Sequence, residues 1–200
     1  VGLFGGRTLP RRIGGPLSMP GYLWMAMMWF MFATFVVSDV VLFGGSLVGL
    51  VPSEGAAALT VLRVQALAAL GLALLGVVIG VPAALGKPRI RRLEVRPPRW
   101  PAALDGLRIV QLSDLHFGPT LGRRFGETVA ERGNSLDADV VVFTGDLADG
   151  SLEDLAHDVA PLGDIRARLG RYAITGNHEF YSGADAWMGY MEQLGWRPLR

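Results

Sequence analysis

At 200 residues the chain has room for one modest domain and something smaller beside it. Half of it is hydrophobic, 18% is charged and the formal net charge is +1, so it is too apolar for an average soluble domain and has no overall field that would favour nucleic acid. Cysteine is absent, which excludes disulfides and thiolate metal sites within these residues and fits a reducing compartment.

The apolar excess lies in residues 21–86. Tyr22 to Val51 is almost free of charge. A helix rises about 1.5 Å per residue, so about 20 apolar residues cross a hydrocarbon layer of about 30 Å. A first transmembrane helix is expected over about 21–50, with Tyr22, Trp24 and Trp29 toward its first end, where interfacial aromatics collect. A cleaved signal peptide fits less well, because the stretch is long and a second one follows. Asp39 falls inside this span. Either the helix continues past it, or a break leaves the carboxylate at an interface. The methionines Met25, Met27, Met28 and Met31 read as packing or lipid-facing residues.

Pro52-Ser53-Glu54-Gly55 predicts a short turn, and a second span is expected over about 60–86. Arg63 and Gln65 lie near its entrance. Gly45 with Gly49, and Gly76 with Gly80, have the small-xxx-small spacing that lets helices approach closely. Arg7, Arg11 and Arg12 precede the hairpin, Lys87, Arg89, Arg91 and Arg92 follow it, and the connector has no basic residue before Arg63. The positive-inside rule then puts both flanks, and the domain that follows, in the cytoplasm. The cluster after the second span also has the composition that binds anionic head groups, although its topological role suffices to explain it. Residues 1–92 thus read as a membrane region with two transmembrane helices. Residues 93–105, with Arg96-Pro97-Pro98-Arg99-Trp100-Pro101, read as a semi-rigid linker.

From residue 106 to 200 the texture is that of an α/β domain. Strands are predicted over Arg108–Leu112, Asp139–Thr144 and Arg171–Thr175, the second as a run buried on both faces. Helices are predicted over Thr120–Leu136, Leu152–Leu169 and Ala184–Leu194. The order βαβαβα argues neighbouring parallel strands. The sequence starts at Val1 and leaves its last element unfinished at Arg200, so both ends read as cut.

Each strand is followed by a polar motif: Ser113-Asp114-Leu115-His116, Gly145-Asp146-Leu147-Ala148-Asp149 and Gly176-Asn177-His178-Glu179. Ligands of open α/β sheets bind outside the carboxyl ends of the strands. Three strands would therefore deliver Asp, His, Asp, Asn and His to one edge. Singly, Asp114 or Asp149 can cap a following helix, and His116 and His178 can be ordinary turn residues. His157, outside any motif in a polar helical stretch, reads as a surface residue.

In this order, and with the run Asp105 to Gly118 (Asp-Gly-Leu-Arg-Ile-Val-Gln-Leu-Ser-Asp-Leu-His-Phe-Gly), the motifs resemble the calcineurin-like metallophosphoesterase superfamily, in its bacterial membrane-anchored branch. The resemblance runs from Leu107 to the end, about the first half of such a domain. It implies a transmembrane helical hairpin followed by a partial calcineurin-like α/β sandwich. It also implies two divalent metal ions (Mn, Fe or Zn). Two such ions lower the pKa of a bound water and neutralise phosphoryl oxygens, which is what delivering hydroxide to phosphorus requires. Asp114 and His116 would hold the first metal, Asp146 would bridge both, and Asn177 would hold the second. His178 would serve the leaving group, with Asp149 orienting its imidazole. Glu179 would be structural or would support a metal ligand from behind. The family's further histidines, including a Gly-His-x-His motif, have no counterpart here, so the 200 residues alone are expected to be inactive. The resemblance implies a phosphate-ester substrate, of which its relatives use diverse kinds; membrane attachment and the basic flank favour a lipid-linked or lipid-derived phosphodiester or pyrophosphate, with membrane lipid as the other partner. Asp149-Gly150 departs from the Asp-Arg-Gly of protein phosphatases, which argues against a phosphoprotein substrate. The competing class is a non-catalytic metal-binding membrane scaffold or sensor with the same fold.

Overall fold

The computed structural model describes residues 11–52 and 54–199. They form two compact units that part at Gly86 and Lys87. Of the sequence features named above, Val1, Arg7, Ser53 and Arg200 lie outside the described residues.

The first unit is a pair of long helices, α1 (Arg11–Leu47) and α2 (Gly55–Leu85). Ser18–Leu47 and Gly55–Leu85 are each long and apolar enough to cross a membrane. Both helices start earlier than the sequence suggests. Pro20 lies inside α1 and does not precede it; a proline removes only its own N–H and one helical bond. There is no break at Asp39. The helix runs on to Leu47, and Gly49 (φ 72°) then turns the chain, with Leu50 N–H donating to the Gly45 carbonyl at 2.9 Å.

Asp39 instead finds a partner across the hairpin. The Gln65 amide Nε2 donates to Asp39 Oδ1 at 2.5 Å and to Ser38 Oγ at 2.8 Å. Four residues after Gln65, and again four later, come Ala69 and Ala73, both fully buried, and then Gly76. This spacing is one face of a helix. A Cβ on Gly76 would collide with the Phe30 ring, whereas Gly80 faces open space. Of the second small-residue pair, only Gly76 therefore packs against α1. Close approach and the polar contact together hold the pair, as expected where lipid gives no hydrophobic drive between helices. Gln65→Leu should weaken the hairpin by about 1 kcal/mol, read as easier separation of α1 and α2 in detergent unfolding. An unchanged unfolding profile would mean the amide adds nothing.

The second unit carries one sheet, β1 (Ile109–Leu112), β2 (Val140–Phe143), β3 (Gly170–Ala173) and β4 (Arg197–Pro198), in that spatial order and parallel throughout. Register pairs Ile109 with Val140 and Val140 with Gly170. Helices α3 (Arg123–Asn134), α4 (Leu152–Val159), α5 (Asn177–Ser182) and α6 (Ala184–Gln193) fill the crossovers. The βαβαβα order is as read from the sequence, and β4 extends it.

Three local readings change. The stretch after Ser151 does not stay helical to Leu169. It leaves the α-helix at Val159 and tightens into a 3₁₀ turn, Ala160–Asp164, around Pro161. On β2, Val141 and Phe143 are fully buried and Val140 and Val142 only half-buried. Among the described residues, then, one face of this strand is closed more completely than the other. The short α5 was not foreseen; it occupies the Gly-Asn-His-Glu motif itself.

The core gathers Phe117, Val141, Phe143, Leu147, Val159, Leu162, Trp187, Met191 and Trp196. Its two indoles also act as struts. Trp187 Nε1 donates to the Gly150 carbonyl and Trp196 Nε1 to that of Leu162, both at 3.1 Å. The first of these fixes the loop after β2. The half-buried Arg171 guanidinium donates to the carbonyls of Leu162, Gly163 and Leu194 and lies over the Trp196 ring. This capping holds the carboxyl-terminal segment against the 3₁₀ turn.

Candidate metal centre at the carboxyl ends of three strands

Because β1, β2 and β3 are adjacent and parallel, the loops that leave their carboxyl ends start side by side. The first two stay joined beyond the strands. Asp114 N–H donates to the Gly145 carbonyl, His116 to Asp146, Phe117 to Leu147, and Asp149 back to Phe117, at 2.8–3.1 Å. Asp114, His116 and Asp146 have φ of 55°, 45° and 58°. Few residues other than glycine take this left-handed conformation, although Asp and His are enriched there, and such strain collects at functional sites. Gly145 (φ 99°) and Gly176 are needed for a second reason. A Cβ on either would run into the opposite loop: Gly145 into the Gly176 backbone, and Gly176 into Asp146. The loops after β2 and β3 thus touch backbone to backbone.

Glu179 ties those two loops together. Its carboxylate is fully buried and accepts four backbone N–H bonds. Oε2 takes those of Asp146 (2.9 Å) and Gly176 (2.7 Å), and Oε1 those of Leu147 (2.7 Å) and Ala148 (3.4 Å). Asp146 Oδ1 in turn accepts from the His178 N–H at 3.0 Å. The sequence marked Glu179 as structural without showing what it held. The signal present was its place three residues after Gly176, the reach-back position of a capping box.

On this scaffold the predicted side chains converge. His116, Asp146 and His178 each offer a ligand atom, and these lie within 4.8 Å of one another. The two imidazoles stand edge to face, with centroids 4.5 Å apart. Asp149 Oδ1 lies 2.6 Å from His178 Nδ1, and the same oxygen lies 3.0 Å from His116 Nδ1. A carboxylate can only accept, so each Nδ1 carries the proton and each neutral ring keeps its lone pair on Nε2. The second contact was not legible in the sequence, where Asp149 was paired with His178 alone.

Asp114 lies at the edge of the group. Its Oδ1 is 3.9 Å from His116 Nε2, and its Oδ2 accepts from Ser113 Oγ at 2.5 Å. It caps no helix, since α3 begins at Arg123. Nor does Asp149: the cap of α4 is Ser151, whose Oγ accepts from the Asp154 N–H. Asn177 is the exposed first residue of α5, next to His178. His157 is exposed on α4, away from the motifs in sequence, and its carbonyl accepts from the Arg123 guanidinium.

The electrostatics suit a cation. Partial burial of the His116 ring opposes protonation and is the largest single influence on it. The hydrogen bond to Asp149 and the charges of Asp149, Asp146 and Asp114 outweigh it together, so the His116 pKa is raised from its ordinary value. An imidazole so placed attracts positive charge, whether a proton or a metal. The donors are imidazole nitrogen and carboxylate oxygen, without thiolate. Such a set suits Mn, Fe or Zn, and the residues present fit a divalent ion.

These features define an α/β domain with a candidate metal site at the carboxyl edge of its sheet. Residues 107–199 match the family model of the calcineurin-like phosphoesterases. A Bos taurus protein named "Transmembrane protein with metallophosphoesterase domain" is 42% identical over 123 residues, which is 61% of this chain and 28% of the relative. An uncharacterized metallophosphoesterase of Aquifex aeolicus is 29% identical over 112 residues, covering 56% of this chain and 42% of the relative. The Chlamydia muridarum protein named "UDP-2,3-diacylglucosamine pyrophosphatase LpxG" is 36% identical over 93 residues, covering 46% of this chain and 28% of the relative. No solved structure matches the chain.

Proposed function

We propose that this chain is part of a membrane-anchored, metal-dependent phosphoesterase that hydrolyses a lipid-linked phosphodiester or pyrophosphate. The observation that carries the reading is the convergence of His116, Asp146 and His178 within 4.8 Å, at three successive strand ends of a segment that matches the family. Asp114 and His116 are assigned to one metal, Asp146 to a bridging place and Asn177 to a second metal. When bound, such ions lower the pKa of a water and neutralise phosphoryl oxygens. His178 would hold a proton at Nε2 for the leaving oxygen, with Asp149 stabilising the imidazolium through Nδ1. The two imidazoles make the same contact with Asp149, so that contact does not separate ligand from acid. The family resemblance supplies the division of roles.

Three observations support a substrate with a hydrocarbon part. Two helices are apolar enough to span a bilayer. Phe180 and Tyr181, 72% and 87% exposed, follow Glu179 on α5. One relative is named for a diacylated nucleotide sugar. The basic flanks on either side of the hairpin favour a cytoplasmic domain in a bacterial cell membrane, with residues 93–105 as its linker. The test uses the purified full-length protein, stripped of metal and then given Mn²⁺. A diacylated nucleotide-sugar pyrophosphate should be cleaved with kcat/KM at least about tenfold above that for bis(p-nitrophenyl) phosphate. Equal rates on both would remove the lipid part of the proposal and leave the phosphoesterase.

A further inference from the structure

The segment Lys87–Arg99, which follows α2 at the start of the second unit, is open to solvent. It has no helix or strand, and every residue in it is exposed except the half-buried Pro88. It holds six basic residues, Lys87, Arg89, Arg91, Arg92, Arg96 and Arg99, against one acid, Glu94. Among the described residues the only ion pair made by these six is the solvent-facing one between Arg96 and Glu94, at 2.6 Å. Between the charges stand bare aliphatic side chains: Ile90 is 41%, Leu93 86% and Val95 69% exposed.

We infer that Lys87–Arg99 is a strap that lies on the anionic lipid surface of the bilayer that α1 and α2 cross. This rests on reading those helices as membrane spans. Three features of the segment favour this. The first is place: the segment follows Gly86 directly, so it emerges at the head-group layer wherever α2 ends. The second is charge: basic side chains beside a span attract acidic lipid, and the attraction fades within a Debye length. The third is the aliphatic interleaving. A run that only sets topology needs its charges and nothing more, and a water-borne linker gains nothing by exposing Leu93 and Val95. Shallow burial of aliphatic side chains combined with charge attraction is how segments lie in an interface.

The absence of cysteine in these residues makes a direct test available. The full-length protein, in a cysteine-free background, carries an environment-sensitive fluorophore at Leu93→Cys. It is placed in phosphatidylcholine nanodiscs with or without phosphatidylglycerol. A second label at Leu74→Cys, mid-way along α2, reports on the span. With phosphatidylglycerol the Leu93 label should shift to the blue and be quenched by spin-labelled lipid. High salt should abolish both effects, as should the triple change Arg89→Gln, Arg91→Gln and Arg92→Gln. The corresponding triple change to lysine should keep them. A Leu93 label that stays open to water in both discs would overturn the strap and leave the basic residues as a topology signal. A shift equal in both discs and indifferent to salt would also overturn it, since lipid charge would then play no part. A water-exposed Leu74 label would overturn the span reading and the strap with it.

Discussion

Glu179→Gln is expected to destabilise the α/β unit by about 3 kcal/mol, although the two side chains have the same shape. Each carboxylate oxygen accepts two backbone N–H groups, from Leu147 and Ala148 on one side and from Asp146 and Gly176 on the other. Whichever way a glutamine amide turns, its NH₂ would face two donors in a fully buried place. Two N–H groups then lose their acceptor, and each buried unsatisfied group costs about 1–3 kcal/mol. Thermal unfolding of the full-length protein should report the loss. Hydrogen exchange should quicken at the amides of residues 146–148 and 176. A variant as stable as the parent, with those amides still protected, would show that the loops do not depend on this carboxylate.

The second large effect concerns Asp149. One of its oxygens accepts from both imidazoles, so Asp149→Ala frees His116 and His178 at once. If His178 is the general acid proposed above, loss of its orientation and charge support is expected to lower kcat of the full-length protein by about 10²–10⁴. Asp149→Asn should be intermediate, since its amide oxygen can still accept from both rings but carries no charge to support an imidazolium. A role confined to favourable charge at the start of α4, where Ser151 is the cap, predicts otherwise. Removing Asp149 would then leave kcat unchanged and shift only the unfolding temperature.

The site was legible to the extent that it is local. Asp-x-His, Gly-Asp-x-x-Asp and Gly-Asn-His-Glu each sit within a few residues, and apolar runs before them announced the strands. Parallel order then placed all three on one edge. What the sequence did not reveal is what depends on distant residues. The contact of Asp149 with His116 spans 33 positions, and that of Gln65 with Asp39 spans 26. No periodicity encodes such pairs, and a break at Asp39 looked equally reasonable while its carboxylate had no known partner. Local misreadings have local causes. Pro161 tightened a helix that the apolar spacing of Leu155, Val159, Leu162 and Ile165 prolonged. The six-residue α5 is too short to show a period. The two-residue β4 is defined by its pairing with Tyr172 and Ala173 and not by its own composition.

The chain spans only 28% of the Bos taurus and Chlamydia muridarum relatives described above. Activity is therefore a property to be sought in the full-length protein. The most direct test is hydrolysis of bis(p-nitrophenyl) phosphate with added Mn²⁺ by that protein beside its Asp146→Ala variant, with bound metal measured in both. Metal-dependent turnover is expected in the parent, and loss of both turnover and bound metal in a variant that stays folded. Undiminished turnover in the variant, or a folded and metal-loaded parent that cleaves neither this ester nor the lipid pyrophosphate, would contradict it.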